Sequence, residues 1–208
     1  MFKIKDKLFN IQYAYLDAFV NSDHQLVFGL QIKATGTDKM PDNENDDTSD
    51  LFFPDDALFF NSEILLKINP NEIERWQDIA GRTIEWKDYP EDEQEPHALF
   101  YVYEHNEVYN AKIEFKALKE KIIVKIKAIC DIYAGEFFSD NLPLEVETEV
   151  DFYGIFCGKG TTEEQCFKKV SPYLNTDALK VAQNKYGVSI VVPQDTNMET
   201  NLLILADY

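Results

Sequence analysis

Short runs in which apolar and polar residues alternate recur along most of the chain. This two-residue period constrains the fold more than any other feature, because it is typical of half-buried β-strands. The first long run, Phe9–Val20, is followed by turn residues and then by a second run, Leu26–Ala34, which predicts a β-hairpin. The residues of one parity in the first run, which we expect to pack inward, are Phe9, Ile11, Tyr13 and Tyr15.

Further runs of the same kind predict more strands. They are Leu51–Ile68, Arg82–Trp86, Leu99–Tyr103, Val108–Phe115, Ile122–Tyr133, Leu144–Ile155, Val188–Val192 and Leu202–Leu205. The three runs between Leu99 and Tyr133 are joined by connections of hairpin length, which favours a three-stranded meander. In the run that follows, acidic and apolar residues alternate, so one face is predicted to be acidic and the other to pack. The acidic residues of that run are Glu145, Glu147, Glu149 and Asp151.

Three segments carry the start and stop signals of helices. Asn69–Gly81 has a proline in its first turn and ends at a glycine. Thr161 and Glu164 fit a capping box at the start of a helix that runs to about Leu174, and Asn175–Gly187 predicts another helix. The predicted fold class is therefore α+β. A predominantly antiparallel β domain, sandwich-like or a curved sheet meander, spans residues 1–156, and a small α/β unit of two helices and a strand spans residues 157–208 and packs on the same core.

Composition agrees with a folded protein. The chain has 208 residues, of which 45% are hydrophobic and 13% aromatic, and this apolar content excludes a disordered acidic tail. The three cysteines, Cys130, Cys157 and Cys166, are odd in number and form no CxxC pair, which favours a reducing compartment. No apolar run has the length of a signal peptide core or a membrane span, so we expect a cytoplasmic protein.

The charge is the clearest functional signal. The chain has 38 acidic and 20 basic residues, a formal net charge of −18, and phosphates of nucleic acids or anionic lipids would repel it. We therefore expect no direct contact with nucleic acid or membrane, and a basic protein as partner. The acids cluster in two predicted loops and on the strand face above, while a hairpin is rich in lysine. The lysines of this hairpin are Lys112, Lys116, Lys119, Lys121, Lys125 and Lys127.

Aromatic residues lie beside the acids of both predicted loops. Acidic side chains steer a basic partner, and aromatic side chains supply the anchors that a protein interface needs. The residues predicted to bind a partner are Asp42, Glu44, Asp46, Asp47, Asp50, Phe52, Phe53, Trp86, Asp88, Tyr89, Glu91, Asp92 and Glu93. The competing interpretation is that these acids only keep the protein soluble.

Local patterns indicate no catalytic residue, metal or cofactor. The start of a calcium loop at Asp42 is not continued, because Asp47 replaces the required glycine and Phe53 the final acid. The three histidines, His24, His97 and His105, lack the spacing of a zinc site.

Gly158–Thr162 precedes a predicted helix but lacks the GxxxxGK[ST] order of a phosphate-binding loop, and an ordinary capped turn is the simpler interpretation. We therefore predict that the protein is not an enzyme.

Two segments prompt a comparison with a known class of proteins. They are Trp76–Trp86 and, at the end of the β-rich region, Phe152–Ile155. In general character the chain resembles the immunity proteins of bacterial polymorphic and secretion-system toxins, many of which are small, acidic and cytosolic. This resemblance implies stoichiometric occlusion of a basic toxin or effector. The alternatives are a phage-type or DNA-mimic inhibitor of a nucleic-acid-binding protein, an enzyme or small-ligand binder with a site built from distant residues, and a scaffold that forms a homodimer.

Overall fold

The computed structural model describes residues 1–36, 58–88, 97–102, 104–119, 121–132 and 140–196. They form one twelve-stranded sheet with an α-helix and a short 3-10 helix, Trp76–Ile79. The strands are β1 Phe2–Ile4, β2 Lys7–Val20, β3 Leu26–Gly36, β4 Leu58–Ile68, β5 Thr83–Trp86, β6 Leu99–Val102, β7 Glu104–Asn106, β8 Val108–Leu118, β9 Lys121–Cys130, β10 Leu142–Lys159, β11 Leu179–Gln183 and β12 Val188–Pro193, and the helix α1 is Glu163–Val170. The predicted predominance of antiparallel β-structure is confirmed.

The strand order is β5-β8-β9-β10-β1-β2-β3-β4-β6-β7, and β10 determines how the sheet turns. The first half of β10 pairs with β9 and β1, whereas its second half pairs in parallel with β2 and antiparallel with β12. A bulge between Phe152 and Gly154 marks the change. Gly154 has φ +134°, and a Cβ there would lie 2.6 Å from Ile190 Cγ2, so the crossing requires glycine.

The sheet curls over one apolar face, which we call the inner face. The ring of Phe2 on β1 lies 6.0 Å from that of Phe100 on β6, although four strand pairings separate the two strands. The ring centroid of Phe152 on β10 lies 6.1 Å from that of Phe28 on β3. Trp76 stacks on Phe152 with the ring centroids 4.9 Å apart. The resulting core is one cluster of buried aliphatic and aromatic side chains, and its burial is the main term that stabilises the fold.

The predicted hairpin of Phe9–Val20 and Leu26–Ala34 is confirmed as β2 and β3. The predicted inward parity of β2 is wrong in its second half, because a bulge between Ile11 and Tyr13 shifts the register. A shift by one residue exchanges the two faces of a strand. Leu16 therefore packs in the core, and Tyr13 and Tyr15 lie on the other face, which we call the outer face.

The three-stranded meander predicted for Leu99–Tyr133 forms only in part. β8 and β9 form the expected hairpin, but β6 pairs with β4 and β7. The second edge of β8 is occupied by β5, so β6 cannot pair there.

The predicted helix over Asn69–Gly81 is limited to a single 3-10 turn. Asn71 has φ +62° and Arg75 is extended, so the backbone cannot continue as a helix before Trp76. The Asp78 carboxylate accepts hydrogen bonds from the backbone N–H groups of Glu74 and Arg75, at 3.1 and 2.8 Å.

The C-terminal part of the described chain belongs to the same sheet. α1 is capped by Thr162 with Gln165, one residue later than predicted, and the helix predicted over Asn175–Gly187 is wrong because β11 pairs there with β12. The predicted boundary after residue 156 falls inside β10, so a separate C-terminal unit is not confirmed. Leu202–Leu205 lies outside the described residues. Within the described ranges, no helix is both long and apolar enough to cross a membrane.

Candidate functional site

The outer face of the sheet consists of two regions with different chemistry. The first, which we call the charge ladder, is the outer face of β5, β8, β9 and the first half of β10. Here acidic and basic side chains stand opposite one another on neighbouring strands: Glu114 faces Lys125, and Lys125 faces Glu147. The acidic strand face predicted for β10 and the predicted lysine hairpin are therefore adjacent strands of one surface.

Ion pairs connect these strands. Lys125 Nζ lies 2.8 Å from Glu147 Oε1, and Lys112 Nζ lies 3.1 Å from Glu85 Oε1. The hydrogen bond from Lys125 holds the pKa of Glu147 below its usual value. Lys121–Glu149 also joins β9 to β10, whereas Lys112–Glu114 and Lys116–Glu114 lie along β8. The ladder is therefore largely neutralised internally and offers a basic partner little uncompensated charge.

The second region, which we call the aromatic face, is the outer face of β2, β3, β4 and β6. One row across these strands brings together three aromatic rings and a lysine, and the next row is Tyr15, Gln31, Asn61 and Leu99. The members of the first row are Tyr13, Lys33, Phe59 and Tyr101. Tyr101 is 41% exposed, and the other three are half-buried. Aromatic side chains with this exposure are typical of protein interfaces.

Asp17 continues the aromatic face along β2 and is half-buried opposite Gly29. Its Oδ2 accepts a 3.0 Å hydrogen bond from Gln31 Nε2, and Gln31 Oε1 accepts a 2.6 Å bond from the Tyr15 hydroxyl. A Cβ on Gly29 would lie 2.5 Å from Asp17 Oδ1 and 3.1 Å from the Ser62 carbonyl oxygen. The carboxylate therefore occupies the space that a side chain at position 29 would fill. We call this place the Asp17 niche.

The electrostatics of the niche disfavour a charged Asp17. Burial raises the pKa of Asp17 to about 6, the hydrogen bond from Gln31 partly opposes this, and the nearby charge of Glu63 adds to it. Each pKa unit corresponds to about 1.4 kcal/mol, so ionised Asp17 costs the folded state free energy at neutral pH. An ionisable side chain whose pKa is shifted in this way marks a candidate functional site.

Tyr153 lies beside this niche. It is 1% exposed, and its ring centroid is 5.5 Å from that of Tyr15. Burial, and then the charge of Asp17, raises the pKa of Tyr153 to about 12, so its hydroxyl is protonated at neutral pH. Among the described residues this hydroxyl has no hydrogen-bond partner. The niche therefore adjoins a buried polar group whose hydrogen-bonding capacity is unused.

Of the thirteen residues predicted to bind a partner, Trp86 and Asp88 are described. Asp88 is exposed. Trp86 is 8% exposed, and its Nε1 donates a 2.9 Å hydrogen bond to the Val108 carbonyl oxygen, so it belongs to the core and cannot serve as a surface anchor. The other eleven lie outside the described residues: Asp42, Glu44, Asp46, Asp47, Asp50, Phe52, Phe53, Tyr89, Glu91, Asp92 and Glu93.

Sequence reasoning missed the residues of the Asp17 niche. In the sequence, Asp17 only interrupts an apolar run, and its relation to Gly29, Gln31 and Tyr153 depends on strand register. The one local signal is that Asp17 shares its parity with Tyr13 and Tyr15, which marks an acid within an aromatic row. The bulge after Ile11, which turns this row outward, has no clear signature in the sequence.

Thiol chemistry has little support. Cys130 and Cys157 are buried, and burial raises the pKa of each thiol to about 12, so both are protonated at neutral pH. Across the ranges that the structure describes, no group of three or more His, Cys, Asp and Glu residues is placed to hold a metal ion.

A surface cavity of about 340 Å³ lies where the 3-10 helix meets the segments around β11 and β12. Trp76, Leu174 and Leu179 are among its apolar lining residues, and Arg75 and Asp195 among the charged ones. Arg75 is paired with Asp78 at 3.3 Å, and its side chain is 65% exposed. The cavity is large enough for a small ligand, but its charged residues do not form a buried, convergent catalytic group.

Comparison of the chain with protein-family models, with curated proteins and with solved structures gave no match. The resemblance to toxin immunity proteins thus rests on sequence character alone, and it stays a prediction.

Proposed function

We propose that this chain is an acidic binding protein that neutralises a basic protein by stoichiometric occlusion, as an immunity protein does with a toxin or effector. The observation that carries the proposal is the division of charge. The described residues hold 22 acidic and 19 basic side chains, so this part is nearly neutral. Residues 37–57 and 89–96, which we call the acidic segments, hold 12 acidic side chains and one lysine. The excess charge is therefore concentrated in the segments for which partner binding is predicted.

The connections of the acidic segments favour a shared surface with the aromatic face. Residues 37–57 join β3 to β4, and residues 89–96 lie between β5 and β6. β4 and β6 are paired, and Phe59 and Tyr101 face each other across that pair. A basic partner steered by the acidic segments would thus also meet the aromatic side chains of the aromatic face. Aromatic side chains are the residues that hold protein interfaces together.

Two of the three alternatives predicted from the sequence have weaker support. A DNA mimic needs carboxylates in two rows at phosphate-like spacing, but Glu145 and Glu147 of β10 stand opposite Lys127 and Lys125 of β9. A small-ligand binder or enzyme needs a pocket with convergent polar groups, and the described cavity beside Trp76 lacks that arrangement.

The proposal is tested with two variants that each remove five negative charges. The acidic-segment variant changes five acids of residues 37–57 to amides, and the ladder variant changes five acids of the charge ladder. The substitutions of the first are Asp42→Asn, Glu44→Gln, Asp46→Asn, Asp47→Asn and Asp50→Asn. Those of the second are Glu85→Gln, Glu114→Gln, Glu145→Gln, Glu147→Gln and Glu149→Gln.

Affinity capture from the native host at low salt and then at moderate salt, with wild type and both variants as bait, compares them directly. We expect wild type and the ladder variant to retain the same basic protein, which, once purified, forms a 1:1 complex and loses its activity when bound. The acidic-segment variant should not retain this protein. Equal capture by both variants, or a purified complex that leaves the captured protein active, would contradict the proposal. Light scattering of the free chain tests the scaffold alternative, which requires a homodimer.

A further inference from the structure

We propose that the Asp17 niche is an anchor site for an arginine side chain of the basic partner. This inference rests on the proposed function and adds to it the chemical group that the partner inserts. All residues that carry it are described, and it does not depend on the acidic segments.

The niche is rich in hydrogen-bond acceptors. The Asp17 carboxylate lies over Gly29, and the carbonyl oxygens of Ser62 and Glu63 are 3.1 and 3.4 Å from the position that a Cβ on Gly29 would take. The β3–β4 ladder is interrupted here, because Phe28 pairs with Leu66 and Leu30 with Ser62, so that three residues of β4 stand opposite Gly29 alone. A bulge of this kind re-aims backbone and side-chain groups and often lies beside a binding site.

Two further polar groups lie on the neighbouring strand positions, an amide oxygen and a phenolic hydroxyl. The Oδ1 atom of Asn61 is buried and has no hydrogen-bond donor among the described residues, and Asn61 stands opposite Gln31, whose amide binds Asp17. The hydroxyl of Tyr153 is likewise buried and unpartnered within the described part of the chain. Buried polar groups are normally satisfied, so two such groups beside a half-buried carboxylate indicate a place that a ligand completes. The ligand that fits must be rich in donors.

The charge of the niche is negative. The groups that act on the pKa of Asp17 are Gln31, Glu63 and the backbone of Gly29 and of Asp17 itself, and none of them is a cation. Tyr153 faces Asp17 from β10 and is neutral at pH 7, and Ile190 and Val192 of β12, which pack on Tyr153, do not titrate. A bound cation would offset the cost of ionised Asp17 and the repulsion from Glu63.

A guanidinium group meets these requirements better than an ammonium group. It has five N–H donors in a plane and no acceptor, and it binds carboxylates in a bidentate manner. It also stacks on aromatic rings, and the rings of Tyr13 and Tyr15 lie beside the niche with their centroids 5.6 Å apart. The structure therefore favours arginine over lysine at this position.

The test is a titration of the isotope-labelled full chain, followed by NMR at pH 7.5, with three capped amino acids as probes. The probes are N-acetyl-arginine amide, the neutral N-acetyl-citrulline amide and N-acetyl-lysine amide. We expect saturable shifts of the Gly29, Gln31 and Glu63 amides with the arginine probe, at least tenfold weaker binding of the citrulline probe and weaker binding of the lysine probe. Affinity for the arginine probe should fall below about pH 6, because Asp17 is then protonated and uncharged.

Two substitutions and one matched control locate the site. Asp17→Asn should weaken binding of the arginine probe at least tenfold, and Glu63→Gln, on an exposed side chain, should weaken it about threefold. Asp151→Asn removes an exposed acid that stands beside Tyr15 in the sheet register and should leave binding unchanged. Equal binding by wild type and the Asp17→Asn variant, or equal binding of the arginine and citrulline probes, would overturn the inference.

The failure of this inference and that of the proposed function have different signatures. If a basic protein is captured through the acidic segments with the same affinity by wild type and by Asp17→Asn, the anchor is wrong and the proposed function stands. If no basic protein is captured but the arginine probe binds at Gly29 and Gln31, the proposed function is wrong and the niche binds a free ligand.

Discussion

The carboxylates in the two regions of the outer face have opposite environments. On the charge ladder, Glu85, Glu147 and Glu149 are exposed, and each lies within 4 Å of a lysine on the neighbouring strand. On the aromatic face, Asp17 is half-buried, bound by the neutral Gln31 and close to another acid, Glu63. The first arrangement is what solubility and correct strand pairing require. The second reduces stability, and this contrast supports the proposal that the aromatic face binds a partner.

The largest expected effect is at the crossing between the two regions. Gly154→Ala places a Cβ within 2.8 Å of the Val191 carbonyl oxygen and the Val192 side chain, at φ +134°. We expect a loss of more than about 3 kcal/mol in the free energy of unfolding, measured by urea denaturation. Gly160→Ala is the control: φ there is +73° but nothing lies within 4 Å, so only about 1 kcal/mol of backbone strain should result. Equal losses for both would show that β10 is not tightly packed where it changes partners.

The next effect has the opposite sign. Asp17→Asn should raise the free energy of unfolding by roughly 1–3 kcal/mol at pH 7.5, because it removes a charge that partial burial penalises. The pKa of Asp17 is raised in the folded state to about 6, so its contribution to stability is complete below its ordinary pKa and is lost as the pH rises through 6. The advantage of the variant should therefore shrink between pH 7.5 and pH 4. Asp151→Asn should show no such gain, and a destabilised Asp17→Asn variant would refute the description of the niche.

Much of the fold could be predicted from the sequence. The alternation in Leu26–Ala34 and Leu144–Ile155 identified β3 and β10, because a strand with one buried face has a two-residue period. The sequence did not indicate which strands pair. The meander prediction therefore placed β6 beside β8, where the structure has β5.

The helices and the site were harder to predict, for physical reasons. Asn175–Gly187 has helix signals, but pairing of β11 with β12 overrides them. Asp17 could not be recognised as a site residue, because its burial and its neighbours come from strands β3, β4 and β10. Trp86 was predicted to be a surface anchor from its acidic neighbours in sequence, yet the indole N–H is bonded inside the core to Val108.

A smaller effect tests the geometry of the niche. Gly29→Ala should lower the free energy of unfolding by about 1–2 kcal/mol, since the new Cβ would displace the Asp17 carboxylate. In an Asp17→Ala background the same change should cost less, because the carboxylate is gone. A double-mutant cycle measures this coupling, and purely additive effects would mean that Asp17 does not lie over Gly29.

The smallest effect is expected on the charge ladder. Lys125→Ala and Glu147→Gln each break an exposed ion pair, so the Tm should change by no more than the error of the measurement at moderate salt. A clear drop in Tm for either variant would show that the ladder is structural in a way that exposed pairs seldom are.

In the proposed function, the surplus negative charge acts through the acidic segments and not through the net charge of the molecule. The most direct test is the association rate constant of the purified basic partner with wild type, the acidic-segment variant and the ladder variant, measured by stopped flow at low and moderate salt. We predict at least tenfold slower association and a weaker salt dependence for the acidic-segment variant, and a rate within about twofold of wild type for the ladder variant. Equal slowing of both variants, each of which loses five negative charges, would show that the net charge and not its location sets the rate.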